Sequence, residues 1–166
     1  MFSGRVIQAT LRALDWLSSK TLPPDASPEH LRTGRRGEED AYFYLRRRGY
    51  TIVARNYRSP NHHGELDLVG WEKDTLCFIE VKTRTTRTAI PAEAAVDAEK
   101  RRDLRLVAQE FLRHLPISSL QGRGNEHRSR DVVKARFDVL AVYYDQGLTQ
   151  PSFELLQNAF PVAYNR

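Results

Sequence analysis

Two acidic residues on neighbouring strands, with a lysine two positions after the second, carry the chemistry this sequence offers. They lie in GELDLVGWEKDTLCFIEVKTR, Gly64 to Arg84, where Glu65, Asp67, Glu80 and Lys82 interrupt two apolar runs joined by an EKD turn. Buried charge is costly unless it is paired or bound to an ion. On a strand beginning near Thr75, the residues Leu76, Phe78, Glu80 and Lys82 point one way and Cys77, Ile79 and Val81 the other. Glu80 and Lys82 therefore emerge on one face, about 6.6 Å apart along the strand. On the preceding strand, alternation sets Glu65, Asp67 and Val69 against Leu66 and Leu68. A hairpin register that brings Asp67 to Glu80 then gathers two carboxylates and an ammonium at one edge of the sheet.

Close carboxylates repel each other unless a proton or a cation sits between them. Oxygen ligands of this kind suit Mg²⁺ or Mn²⁺, which lower the pKa of bound water and shield charge developing on a phosphate. Lys82, beside that water or the scissile phosphate, can orient the nucleophile and stabilise the transition state. This is the chemistry of phosphodiester hydrolysis. The competing structural reading is an ordinary ion pair at a strand end. An isolated E-x-K triplet occurs by chance in most proteins, and it is Asp67 on the preceding strand that favours a site.

Other residues break their local pattern. Glu38 shares a helical stripe with Ala41, Tyr42 and Leu45, which turns its carboxylate toward the sheet; a role at the helix N-terminus is the alternative. Lys100 falls between Val96 and Leu104 at helical spacing. It either snorkels to water or reaches the edge that holds Lys82 and touches substrate phosphate. His62 and His63 precede Gly64, but adjacent histidines are more often a polar loop than a ligand pair.

Positioning these groups falls to a helix over about Arg35 to Arg48, stopped by Gly49, and to strands at Tyr50–Tyr57, Glu65–Trp71 and Thr75–Thr83. A long helix follows over Ala92 to Leu115, with Val96, Leu104, Val107, Ala108, Phe111 and Leu112 inward. A fourth strand at Ala135–Tyr144 and a short edge strand at Phe153–Leu156 complete the pattern. The order αβββαβ predicts an α/β fold, a mixed sheet flanked by helices. Ahead of it, Ile7, Leu11, Leu14 and Leu17 mark an extra amphipathic helix that packs on the main domain or on a partner, with a membrane-surface or organelle-targeting role as the lesser alternative. Pro23, Pro24 and Pro28 make Thr21 to Gly34 a linker. Residues 1–32 are thus read as helix and linker and 33–166 as one domain, with a mobile loop over 116–131.

The chain has 166 residues, enough for one good core. Its 26 basic against 21 acidic residues leave +5, a modest bias toward anionic partners. Cys77 is the only cysteine, which excludes an intrachain disulfide and a multi-cysteine zinc site and fits a reducing, cytoplasmic setting. No run has transmembrane length, and Arg12 and Asp15 interrupt the N-terminal apolar stretch, so neither a membrane span nor a signal peptide is expected.

Taken together, GRRGEEDAYFYL from Gly34, GYTIVARNYR from Gly49, GELDLVG from Gly64, FIEVKTR from Phe78, VDAEKRR from Val96 and RFDVLAV from Arg136 resemble the YraN (UPF0102) family. That family has a restriction-endonuclease-like fold of the PD-(D/E)xK type, similar to archaeal Holliday junction resolvases. The resemblance implies metal binding by Glu38, Asp67, Glu80 and the Val81 carbonyl, with Lys82 catalytic. Glu65, Lys100, Arg136 and Asp138 also match recurrent positions with less defined roles. Leu66 stands where the motif's proline would be.

The function expected is a Mg²⁺- or Mn²⁺-dependent DNA endonuclease acting on branched, damaged or duplex DNA. Phosphate contacts are expected from Arg58, Arg84, Lys100 and Arg101. The rival is a non-catalytic nucleic-acid-binding or assembly module on the same scaffold. Further candidate partners are a protein at the N-terminal helix and a second copy of the chain.

Overall fold

The segment that is apolar on both faces becomes the central strand. In the computed structural model, which describes residues 28–85, 96–115, 133–145 and 150–162, β3 (Thr75–Arg84) is buried from Leu76 to Val81. Antiparallel β2 (Glu65–Glu72) lies on one side of it and parallel β4 (Ala135–Tyr143) on the other. β1 (Thr51–Arg58) and β5 (Ser152–Phe160) form the edges of a sheet ordered β1-β2-β3-β4-β5. A parallel β3–β4 pair needs a crossover, and the connection contains α2 (Ala98–His114). The remaining helix, α1 (Glu29–Arg47), precedes β1. The chain divides into two compact units, Met1–Arg36 and Gly37–Arg166.

The expected αβββαβ order is present in this mixed α/β sheet, extended by a β5 longer than the four residues anticipated. Most of β5 is half-buried or exposed, so its apolar signal is diluted. A register shift opposite Phe137 and Val139, with Asn158 at φ 55°, carries the strand on to Phe160. The predicted N-terminal amphipathic helix and the 116–131 loop lie outside the described residues.

α1 begins at Glu29, inside the stretch that its prolines had marked as a linker. Pro28 does not prevent this, because its carbonyl accepts from Leu31 and Arg32 N–H at the first turn while its own missing N–H costs nothing there. At the other end Gly49 takes φ 90° and Tyr50 N–H returns to Leu45 O, a glycine-dependent stop. α2 starts later than its apolar stripe suggested. Asp97 caps it by accepting from Lys100 N at 2.8 Å, leaving Val96 buried just ahead of the helix.

Two apolar layers sandwich the sheet. Leu66, Val69, Trp71, Leu76, Phe78, Phe137 and Val139 pack with Leu104, Val107 and Ala108 of α2. On the other face Leu68, Cys77, Ile79, Val81, Leu140 and Val142 pack with Ala41 and Leu45 of α1. Among the described residues no helix is long and apolar enough to cross a membrane.

Candidate active site at the fork of the central hairpin

The β2–β3 ladder runs from Glu72–Thr75 to Leu68–Ile79 and ends. Its next rung would pair Asp67 with Glu80. Instead the Val81 N–H donates to Asp67 Oδ2 at 2.7 Å, so a side-chain carboxylate takes a proton donor that the continued strand would have left to a carbonyl. β1 is irregular at the same level: rungs form at Arg55–Leu68 and Tyr57–Leu66, and Asn56 between them has φ 49°. This irregularity corrects the simple alternation. Leu66 packs in the α2 layer with Val69, whereas Leu68 packs in the α1 layer, so the two leucines do not share a face.

Asp67 and Glu80 are both buried, at 8% and 5% exposure. Burial, and then the neighbouring Glu80 carboxylate, push the Asp67 carboxyl up to about 7. The Val81 N–H and the Lys100 charge pull in the opposite direction, and the charge of Glu38 adds to the rise. Glu80 Oε1 is held by Lys82 Nζ at 2.9 Å and faces Lys100 Nζ at 3.5 Å. Among the described residues, Glu80 Oε2 is buried without a hydrogen-bond partner. An orphaned carboxylate oxygen is costly in an interior, and it is the atom that a hard cation would take up.

Glu38 reaches the neighbourhood through α1, and Gly37 sets how closely. A Cβ on Gly37 would overlap the Thr83 hydroxyl and lie 3.0 Å from Thr83 Cβ, so the helix rests almost backbone-first on β3. Glu38 is half-buried there and its charge is felt at Asp67. Among the described residues, however, no group of three or more His, Cys, Asp or Glu side chains converges as a ready-made metal cage. The tight nucleus is Asp67, Glu80 and the Val81 backbone.

A profile described as "Uncharacterised protein family UPF0102" matches residues 37–142, from the α1 glycine that meets Thr83 to Val142, one residue short of the end of β4. The chain belongs to the UPF0102 family. It is 49% identical to a UPF0102 protein of Koribacter versatilis over 92% of this chain and 93% of the relative. A UPF0102 protein of Solibacter usitatus is 41% identical over 76% and 84% of the two chains. One from Rhodococcus opacus is 39% identical over 79% and 98%.

Within this UPF0102 core, the other residues singled out from sequence scatter. Lys100 does reach the edge that holds Lys82, through Glu80. Glu65 pairs with Arg58 at 2.6 Å. Arg101 donates to Val96 O and lies over the Phe160 ring, which gives it local structural work. Arg84 ends β3, where its carbonyl accepts from Tyr144 N–H. Arg136 and Asp138 stand opposite Cys77 and Ile79 in the β3–β4 register, on the α1 side of the sheet, bonded to each other at 2.8 Å and joined to Glu72, Tyr50 and Asn158. They belong to a structural network. His62 and His63 line an open cleft of about 420 Å³ with Arg58, Glu65 and Lys100.

Sequence reasoning passed over Glu110. It is 4% exposed on α2, accepting from Asn61 Nδ2 at 3.0 Å and from Arg113 at 2.6 Å. Its signal was an acid three residues beyond Val107, on the inward side of the helix.

Proposed function

We propose that this protein is a metal-dependent nuclease that hydrolyses DNA phosphodiester bonds, branched and damaged duplexes among its substrates. The observation that carries the reading is the buried Asp67–Glu80 pair at the hairpin fork, with one Glu80 oxygen unpartnered among the described residues. The donor set fits a hard divalent ion. Asp67, Glu80 and the Val81 carbonyl would hold Mg²⁺ or Mn²⁺, with Glu38 of α1, whose charge is felt at Asp67, as a further ligand. When bound, such an ion lowers the pKa of water and offsets charge on the phosphate.

The chain's own groups supply the rest. Lys82 shares the face of Glu80, but its ammonium has donors and no lone pair, so it serves the substrate rather than the ion. From 2.9 Å beside Glu80 Oε1 it can hold the attacking water and donate to a phosphoryl oxygen as negative charge builds there. Glu80 keeps that ammonium aimed. The burial around the pair strengthens each of these interactions relative to water.

One observation favours a second reading, a non-catalytic nucleic-acid-binding module. Two ammoniums already face Glu80 Oε1, as they would in a structural ion cluster. Labelled duplex, single-stranded and four-way-junction DNA, incubated with Mn²⁺ or with EDTA, separate the two. Cleavage that needs Mn²⁺ and vanishes in Glu80→Ala supports the nuclease. Binding to all three without cleavage of any transfers the protein to the second reading.

A further inference from the structure

The cleft beside the carboxylate pair has a composition that the hydrolytic chemistry does not use. Lys100 belongs to both: its Nζ lies 3.5 Å from Glu80 Oε1, and it forms one wall of the cleft. The other wall is the segment from Arg58 to Glu65, which presents His62 and His63. Neither imidazole is engaged in a hydrogen bond among the described residues, although the loop carrying them is held firmly. Asn61 N–H donates to the buried Ser59 Oγ at 3.1 Å, and the Asn61 amide donates to buried Glu110 at 3.0 Å. The chain thus anchors a loop from below and leaves its two flat rings and a lysine facing an opening.

The volume of about 420 Å³ lies within the range of small-ligand pockets, about 300–1,000 Å³. Cations at both sides suit phosphates, and imidazole rings are surfaces on which an unpaired base can stack. A base stacked inside a duplex cannot enter such a recess without being taken out of the helix. We infer that this cleft receives one nucleotide of a single-stranded segment, with Lys100 and Arg58 on its phosphates and His62 and His63 against its base. The inference rests on the nuclease reading only for the position of the scissile phosphate. It narrows the substrate to DNA in which a strand leaves the duplex: a flap, a gap or an open branch point. Arg58 is 2.6 Å from Glu65, so an incoming phosphate competes with that exposed ion pair, which is a weak competitor.

The test is binding in EDTA, read by fluorescence anisotropy with a short labelled oligothymidine and a blunt duplex of equal length. The single strand should bind about tenfold more tightly than the duplex, the scale of one base–ring stack. Replacing both histidines, His62→Ala with His63→Ala, should erase that difference by weakening the single strand alone. Lys100→Gln should weaken both probes, because it removes a phosphate contact. A thermal melt monitors folding. If the double variant loses its transition, His63→Ala alone, at an exposed position, carries the same comparison. Equal binding of the two probes by the wild-type protein overturns the inference, as does a double variant that keeps the preference. Because EDTA takes cleavage out of the measurement, a protein that never cuts DNA still passes or fails on binding, while the Mn²⁺ cleavage assay judges the nuclease reading separately.

Discussion

Lys82 and Glu80 are two residues apart and hydrogen-bonded at 2.9 Å, yet their substitution should have different consequences. Lys82→Ala should leave Mn²⁺ binding by calorimetry close to wild type while cutting the cleavage rate about a hundredfold or more, since only a transition-state donor is lost. Glu80→Ala should lose metal affinity and cleavage together. A Lys82→Ala protein that cuts DNA at the wild-type rate would return Glu80 and Lys82 to simple ion pairing. Asp67 yields a prediction about pH. Its carboxyl is raised from 3.8 to about 7, so between those values the unfolded chain gives up a proton that the folded chain retains. The stability linked to this group is therefore complete below about pH 3.8 and is lost as pH rises through about 7. Asp67→Asn preserves an acceptor for the Val81 N–H and removes the titration. In metal-free buffer the Tm of Asp67→Asn relative to wild type should climb from pH 4 to pH 8, about the span of that shift. A difference that stays flat or falls over that span contradicts the assignment.

At the scale of elements, the site depends on how closely α1 lies on β3 and on where β2 parts from β3. Gly37→Val places atoms where the Thr83 side chain already is, and should cost about 1–3 kcal/mol of stability in denaturant melts, as overpacking does. Thr83→Ala in the same chain should recover part of that loss, because the overlapping hydroxyl is gone; no recovery would mean that the helix is held elsewhere. The fork itself was half legible. The residue types in GELDLVG and FIEVKTR placed two carboxylates on neighbouring strands, and the observed register sets Asp67 level with Glu80. What alternation could not show was the left-handed Asn56 across from that rung, because a backbone dihedral leaves no mark in a period of two.

Over the whole molecule, the two faces of the β3–β4 pair do different work. On one, Glu80 and Lys82 continue the side of Leu76 and Phe78, and Glu80 meets Lys100 of α2. On the other, beside Cys77 and Ile79, Arg136 ties the fully buried Asp138 to Glu72 and Tyr50, and burial pushes the Tyr50 hydroxyl up to about 12. Arg136→Met strips a buried carboxylate of its ion-pair partner and should destabilise the protein by about 3–5 kcal/mol. Mn²⁺ affinity of the folded fraction should be unchanged. Loss of metal binding without loss of stability would mean that Arg136 serves the site after all. The arginines that sequence suggested for DNA are also partly committed to the fold: Arg58 pairs with Glu65, and Arg101 donates to Val96 O beside the Phe160 ring.

Local patterns carried much of this protein on their own. Period-two and helical stripes located the sheet and both of its covering helices, because burial on a face is written into every second, or every third and fourth, residue. Residue type alone nominated Asp67, Glu80 and Lys82, since no apolar strand admits such charges without a reason. Other features depended on partners distant in sequence. That Lys100 turns to Glu80 instead of water, that Glu110 anchors the loop of His62 and His63, and that Arg136 serves the far network are results of packing between segments 20 to 64 residues apart. A side chain's partner across such a distance is set by strand register and helix placement, and neither is encoded at the residue itself. Tertiary structure decided those assignments because only the assembled sheet and helices bring the groups within hydrogen-bonding range.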